Sequence, residues 1–265
     1  IFEDYFRRRG HEAYGFARLG RRAHLGVSYR AEKQESLPLE ADGSFFFDKE
    51  APPNPPITEG ALRSLLFTVR ATAADALFTQ PETEAESFLV RDPYGTRFSR
   101  DEGLRGEATL EWADPETLGG ELDFHRLIAH VRGARALAPR NHVSGRVLVG
   151  LGSDGLPRQR RFALGGMGTL RGRELREVSG DRMALLTAEY SFEPGSPWPG
   201  LALFYDGGAA WSSGVTGRGW LSDLGLGFVW PGGGRRLARL DLAVPLNAGS
   251  TARRVRVTGH VLIPF

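Results

Sequence analysis

The chain has 265 residues, with 34 Lys and Arg against 32 Asp and Glu, so its formal net charge is only +2. So small a charge argues against a nucleic-acid-binding surface, and the absence of cysteine excludes disulfides, thiolate metal sites and cysteine nucleophiles. The mean hydropathy of −0.29 is too polar for a helical membrane protein, and we find no uninterrupted apolar stretch of the ~18 residues that a spanning helix needs.

Alternation of apolar and polar residues, the period of a β-strand, dominates the chain and predicts about eleven strands. These segments lie near 11–20, 21–37, 59–74, 104–112, 118–132, 143–151, 184–192, 200–211, 220–230, 237–246 and 254–265. A weak segment at 1–7 would make about twelve, and residues 73–90 are predicted to form a short helical or irregular insertion.

Two architectures fit many alternating strands. In a soluble β-sandwich the apolar face packs on a second sheet, whereas in a membrane β-barrel it faces lipid and the polar face lines a lumen. Fully charged side chains recur at mid-strand on the polar face, namely Arg146, Glu189, Asp206, Arg239 and Asp241. Segments of about 9–11 residues also have the length of a tilted membrane strand. Both features favour the barrel.

The tryptophans support the same interpretation. Threading the strands up and down from a periplasmic C-terminus puts Trp112, Trp211 and Trp220 at outer strand ends and Trp198 and Trp230 at inner ends. Membrane barrels carry an aromatic girdle at each interface.

The connections between strands are unequal in length. Segments 193–199 and 231–235 are short and fall on the inner side, whereas 38–58 and 152–182 are long and fall on the outer side. Short periplasmic turns and long extracellular loops are typical of such barrels. Segment 74–102 departs from this rule because it is long but falls on the inner side.

The run LGGMGTLRGREL at residues 164–175 first suggests a nucleotide-binding loop. Gly166 and Gly168 supply the first two glycines of G-x-G-x-x-G, but Arg171 occupies the third position. The run leads into a strand rather than a helix, and it lacks the G-K-[ST] ending of a phosphate loop. The sequence therefore argues against nucleotide binding.

No catalytic constellation emerges elsewhere. His125 and His130 are five residues apart and face opposite sides of a strand, so they cannot share a metal ion. There is no G-x-S-x-G nucleophile elbow. Glu189 and Asp206 could form a general acid/base pair, although arginines nearby favour ion pairs in a lumen. We expect no enzyme activity, no metal and no cofactor.

Three stretches, 160–175, 180–192 and 201–211, resemble the C-terminal barrel of the BamA/TamA/FhaC superfamily of outer-membrane insertases and two-partner-secretion transporters. The family's long sixth extracellular loop carries a [VIL]-R-G-[FY] motif after a glycine-rich segment. The corresponding residues here are Gly165, Gly166 and Gly168, followed by Leu170, Arg171, Gly172 and Arg173. Arg173 stands where the family usually has an aromatic residue.

The resemblance also implies partners for the loop motif. Glu189 matches an inward acid of the following strand, and Phe204, Asp206 and Gly208 match the F-x-D-x-G motif of the next strand. In the family the loop folds back into the lumen and its arginine, here Arg171, pairs with these acids. The terminal Phe265 resembles the end of the family's last strand, although Pro264 before it is unusual.

We therefore expect an all-β fold, an antiparallel transmembrane β-barrel with about 12 strands visible, belonging to a barrel of roughly sixteen. Residues 1–265 are expected to form this domain, with 152–182 as the loop inserted in the lumen and no soluble N-terminal domain in this chain.

The resemblance implies an integral protein of the bacterial outer membrane that inserts or translocates proteins. Its partners would be membrane lipid, client outer-membrane or secreted proteins and accessory assembly subunits, with no nucleic acid. The alternatives are a two-partner-secretion pore, the membrane anchor of a patatin-like lipase, or, from another class, a soluble β-sandwich binding module.

Overall fold

The computed structural model describes residues 6–37, 54–73, 103–195, 197–214, 219–232, 235–247 and 255–261. Residues 74–102, which include nearly all of the predicted insertion at 73–90, lie outside this part, as do Pro264 and Phe265.

Thirteen strands are present in the described residues. They are β1 (Phe6–Leu19), β2 (Ala23–Ser36), β3 (Gly60–Thr72), β4 (Gly103–Ala113), β5 (Phe124–Ala138), β6 (Asn141–Gly152), β7 (Phe162–Leu164), β8 (Val178–Gly180), β9 (Arg182–Phe192), β10 (Gly200–Trp211), β11 (Leu221–Gly232), β12 (Arg235–Pro245) and β13 (Arg256–Val261). A short helix α1 (Pro115–Leu118) follows β4, and a 3₁₀ turn (Arg158–Arg160) precedes β7.

Eleven of these strands form one antiparallel sheet. The sheet order follows the chain from β1 to β6 and continues with β9 to β13, so that β6 pairs directly with β9. Strands β7 and β8 pair with each other in a separate small sheet. The expected all-β antiparallel architecture is confirmed. Of the weak segment at 1–7, residues 1–5 lie outside the described residues, and Phe6 and Arg7 belong to β1, where they pair with Ser36 and Glu35.

One face of the sheet buries polar side chains and the other exposes apolar ones, which is the reverse of the pattern in a soluble protein. On β9, Thr187 and Glu189 are only 2% and 4% exposed, whereas Leu186 and Tyr190 on the opposite face are 40% and 43% exposed. The same alternation recurs on β3, β4, β6, β10 and β11. We call the buried polar side the inner face. A sheet that exposes its apolar side chains suits a lipid environment.

The small sheet lies on the inner face. Phe162 of β7 lies against Gly150, an inner-face residue of β6, where a Cβ would meet the phenyl ring at 2.6 Å. Within the described residues, the sheet order contains no second sheet large enough to cover the apolar face. The soluble β-sandwich alternative is therefore wrong for this part of the chain, because a sandwich needs that cover.

The strand directions define two ends of the sheet. We call the end from which residues 153–181 emerge, between β6 and β9, the loop end, and the opposite end the turn end. Alternation places the end of β3 and the start of β4 at the turn end, together with the end of β9 and the start of β10, as the threading predicts. Trp112, Trp211 and Trp220 lie near the loop end, and Trp198 and Trp230 lie near the turn end.

Among the described residues, the sheet does not close into a barrel. Strands β1 and β13 are its edges, and no ladder joins them within the residues that the structure describes. Both edge strands are paired along their whole length, β13 with β12 over the six residues Arg256–Val261 and β1 with β2 over the fourteen residues Phe6–Leu19. No described helix is both long and apolar enough to cross a membrane.

Replacing an exposed apolar side chain by arginine tests the orientation of the sheet. Leu226, at the middle of β11, is 52% exposed. Leu226→Arg should lower the free energy of unfolding from phospholipid bilayers by roughly 2–4 kcal/mol, since charge at mid-membrane is costly. Urea titration of the folded fraction measures this change. The control Leu226→Ala should lose clearly less, and equal losses in the two variants would contradict a lipid-facing position.

Candidate functional site: the loop between β6 and β9

Residues 153–181, here called the interior loop, lie against the inner face. Five of its apolar side chains are buried, and they join strand residues in one hydrophobic cluster. The loop members are Leu156, Phe162, Leu164, Leu170 and Val178. The strand members include Leu148, Met183, Leu185, Ala210 and Leu221. Hydrophobic burial is non-directional. It therefore holds the loop against the inner face of the sheet, also called the wall below, without fixing which loop residue lies opposite which strand residue.

The glycine-rich segment allows the loop to turn sharply. Gly165, Gly166 and Gly168 have φ values of 126°, 84° and 98°, a region that other residues rarely adopt. A Cβ at Gly165 would also collide with the carbonyl oxygen of Glu174. The turn is held by Gly165 N, which donates to Thr169 Oγ1 at 2.8 Å. These glycines serve the path of the backbone rather than a bound phosphate.

Arg171 is the centre of the site. Its Nε and Nη2 donate to the two carboxylate oxygens of Asp206 at 2.7 and 2.8 Å, and its Nη1 donates to Glu189 at 3.3 Å. Its Nη1 also lies 3.7 Å from Asp241, and its guanidinium carbon lies 3.3 Å from the centre of the Phe204 ring. The contact is thus a bidentate fork with a cation–π face.

The strand wall supplies a second guanidinium. Arg239 of β12 donates through Nη1 and Nη2 to Glu189 at 3.1 and 2.8 Å, and through Nε to Asp241 at 2.9 Å. Glu189 is therefore shared between a wall arginine and a loop arginine. Gly227 leaves room for this arrangement, because a Cβ there would lie 2.7 Å from Asp241 and 2.9 Å from Arg239.

The next two residues of the motif bind a further acid. Gly172 N donates to Asp223 Oδ2 at 2.8 Å, and Arg173 Nε donates to Asp223 Oδ1 at 2.9 Å. Arg173 Nη2 also donates to Asn247 at 2.9 Å. A Cβ on Gly172 would lie 2.8 Å from the Asp223 carboxyl carbon, so glycine permits this close approach. Arg173, at the position where the resemblance implies an aromatic residue, thus forms an ion pair with Asp223.

The F-x-D-x-G residues surround this contact. Phe204 and Asp206 are buried on the inner face of β10, and Gly208 lies one step further along the same face. A Cβ on Gly208 would lie 3.0 Å from Leu164 of the interior loop. The phenyl ring of Phe204 occupies the space that a side chain at Gly225 would need.

Charge in the site is nearly balanced. Three guanidinium groups (Arg171, Arg173 and Arg239) face four carboxylates, namely Glu189, Asp206, Asp223 and Asp241, and all seven are buried. Burial alone would lower the pKa of the Arg171 guanidinium, but the carboxylates of Asp206, Glu189 and Asp241 outweigh it and raise that pKa. The loop therefore carries a permanent cation into the acidic wall.

The geometry suits holding a segment in place, because the carboxylates of Glu189 and Asp206 are both engaged by guanidinium groups. No group of three or more His, Cys, Asp or Glu side chains able to hold a metal ion is found among the described residues.

The predicted site residues with described positions come together, and sequence reasoning missed several partners. Arg171 contacts Glu189 and Asp206, Gly172 contacts Asp223, and Leu170 joins the buried hydrophobic cluster. The contacts missed are Arg173–Asp223, Arg171–Asp241, Arg239–Glu189 and Arg146 Nη2 donating to the Gly168 carbonyl. Alternation already placed Arg239 and Asp241 on the polar face, but no spacing rule pairs them with a loop. Phe265 lies outside the described residues.

Comparison with known proteins assigns the chain. A family model described as the Omp85 superfamily domain matches residues 13–258. The fold is similar to that in "The crystal structure of BamA from Haemophilus ducreyi lacking POTRA domains 1-3", with a TM-score of 0.63 and 12% identity, covering 97% of this chain and 55% of that one. A second similar structure is CdiB from Acinetobacter baumannii, with a TM-score of 0.43 and 14% identity, covering 97% and 50%.

The chain thus spans about half the length of these solved structures. No curated protein matches it. The structural similarity to BamA confirms the fold, and the family match extends over nearly the whole sequence. The chain belongs to the Omp85 superfamily of outer-membrane β-barrel proteins.

Proposed function

We propose that this chain is the membrane barrel of a BamA/TamA-type protein that inserts or translocates proteins at the bacterial outer membrane. The observation that carries the proposal is the bidentate contact of Arg171 with Asp206 on the inner face, at 2.7 and 2.8 Å. It fixes a long loop against a polar wall, in a chain whose family match covers residues 13–258.

The electrostatics support a role for the interior loop as a positioned element. Breaking a well-buried ion pair by removing one partner costs roughly 3–5 kcal/mol, far more than the pair adds over an apolar contact. Arg171 is therefore proposed as a latch that sets where residues 153–181 lie. The partners in this proposal are membrane lipid, client outer-membrane or secreted proteins and accessory assembly subunits.

Two other functions remain as alternatives within the family: a two-partner-secretion pore and the membrane anchor of a patatin-like lipase. All three use a lipid-facing barrel, so the sheet alone does not separate them. They differ in which other proteins of the cell require the barrel. Depletion of this protein therefore distinguishes them.

Depletion of the full-length protein should lower the levels of several unrelated β-barrel proteins in the outer membrane, measured by quantitative proteomics of purified outer membranes. Re-expression from a plasmid is the control for indirect effects. Loss of one secreted protein with unchanged barrel proteins would instead indicate a secretion pore, and loss of neither would contradict both transport functions.

Removing the latch should impair function without unfolding the barrel. Arg171→Ala removes one of the cations that neutralise the buried carboxylates of Asp206 and Glu189. We therefore expect the interior loop to leave the inner face. Client levels should then fall several-fold, as they should on depletion. Asp206→Ala should act in the same direction.

Heat-dependent gel migration of the folded barrel checks that both latch variants reach the membrane. Arg171→Lys keeps the charge but loses the two-pronged donor geometry, and it should give an intermediate defect. Wild-type client levels in both Arg171→Ala and Asp206→Ala would rule out the latch.

The contact between Arg173 and Asp223 can be measured independently of any client. Because the two side chains are 2.9 Å apart and buried, the single Ala variants should each destabilise the protein. The double variant should cost less than the sum, with a coupling energy of about 1–3 kcal/mol from urea unfolding. Strict additivity would show that the two side chains do not interact in the membrane-embedded protein.

A further inference from the structure

A second ion-pair cluster holds the beginning of the interior loop. Arg160, on the 3₁₀ turn before β7, has a relative exposure of 0%. Its Nη2 lies 3.4 Å from Glu32 of β2 and 3.5 Å from Glu111 of β4. Glu32 and Glu111 are far from the Arg171 motif in sequence, and neither acid contributes to the site described above.

The wall around Arg160 is organised to receive it. Arg126 of β5 donates through Nε to Glu111 at 2.8 Å and through Nη1 to the backbone carbonyl of Arg160 at 3.2 Å. Arg30 of β2 lies 3.8 Å from Glu111. The wall therefore binds both the side chain and the backbone carbonyl of Arg160. Glu111 also keeps a cation of its own when Arg160 is removed.

The residue before Arg160 extends this contact. Gln159 Nε2 donates to Gln34 of β2 at 2.6 Å and to the carbonyl of Thr58 at 2.8 Å. Thr58 N donates back to Gln159 Oε1 at 3.1 Å, and Thr58 Oγ1 accepts from the backbone N–H of Arg158 at 3.2 Å. Three consecutive loop residues thus bind the wall and the chain segment that leads into β3.

The two clusters lie on different halves of the sheet. The Arg160 contacts involve β2, β4 and β5, whereas the Arg171 and Arg173 contacts involve β9, β10, β11 and β12. In the sheet order these groups are separated by β6. Between them run residues 161–170, with Phe162 and Leu164 buried.

We propose that Arg160 is a second anchor of the interior loop, released independently of the Arg171 latch. The Arg160 anchor holds the N-terminal limb (residues 153–163) to β2, β4 and β5, and the Arg171 latch holds the C-terminal limb (residues 164–181) to β9–β12. A loop fixed at two separated points stays across the inner face when one contact opens. Both must open before a client could pass, a consequence that rests on the proposed function.

Cysteine labelling of the full-length protein in native outer membranes tests the two limbs separately. Residues 1–265 contain no cysteine, so a single thiol introduced among them is labelled without background from this part of the protein, and the full-length parent without an introduced cysteine is the blank. Leu156→Cys reports on the N-terminal limb and Leu170→Cys on the C-terminal limb, since both leucines are 2% exposed or less. Maleimide labelling rates follow from the mass shift over time.

Arg160→Ala should raise the labelling rate of Leu156→Cys by about tenfold or more and leave that of Leu170→Cys within about twofold. Arg171→Ala should do the reverse. The matched control is Arg158→Ala, on the same turn but with an exposed side chain, and it should leave both rates unchanged.

Two results would overturn the proposal. One is an unchanged labelling rate of Leu156→Cys in Arg160→Ala. The other is an equal rise at both reporters in Arg160→Ala and also in Arg171→Ala. If Arg160→Ala does not reach the folded form on gels, Glu32→Gln replaces it, with an expected rise of about threefold at Leu156→Cys only. Labelling needs no client, so a failed transport function leaves this result interpretable.

Discussion

Four buried carboxylates on β9–β12 govern how the interior of this protein is built. Glu189, Asp206, Asp223 and Asp241 are each 4% exposed or less, and buried charge is tolerated only when it is paired. The wall supplies one guanidinium from Arg239, and the interior loop supplies the others. Without the loop the acids would outnumber their cations heavily. Sheet and loop therefore form one electrostatic unit, in which the position of the loop is dictated by the wall.

Ion pairs and apolar contacts contribute differently to the position and the stability of the loop. Enclosed ion pairs scarcely repay their desolvation, so they specify where the loop lies more than they add to stability. The buried leucines and Phe162 behind them supply the non-directional attraction. Glycine makes the combination sterically possible, at Gly165 by its positive φ and at Gly172 by the close approach of Asp223. The same combination recurs at the other end of the loop, where Arg160 forms ion pairs and Leu156 is buried in the hydrophobic cluster.

Local patterns in the sequence predicted the sheet well and the loop contacts only in part. Alternation placed Glu189 and Asp206 on the polar face, because a strand has a fixed side-chain period. The loop motif then identified Arg171 as their partner. The contacts of Asp223 and of the acids that hold Arg160 do not follow from local patterns, since they join residues 49 to 128 positions apart and depend on the register of strands between them. The charge of Arg173 indicates an acidic partner, but the sequence alone does not identify that partner as Asp223.

Amide hydrogen exchange of residues 165–173 in bilayer-embedded protein would show whether the loop is held inside. In the structure the N–H groups of Gly165, Gly166, Arg171, Gly172 and Arg173 are all hydrogen-bonded to the loop itself or to the acids of the wall. These amides should exchange at least about a hundredfold more slowly than those of an unstructured loop, since exchange requires opening of a buried contact. Exchange at the rate of an unstructured peptide would contradict the loop's placement against the inner face and with it the role given to Arg171.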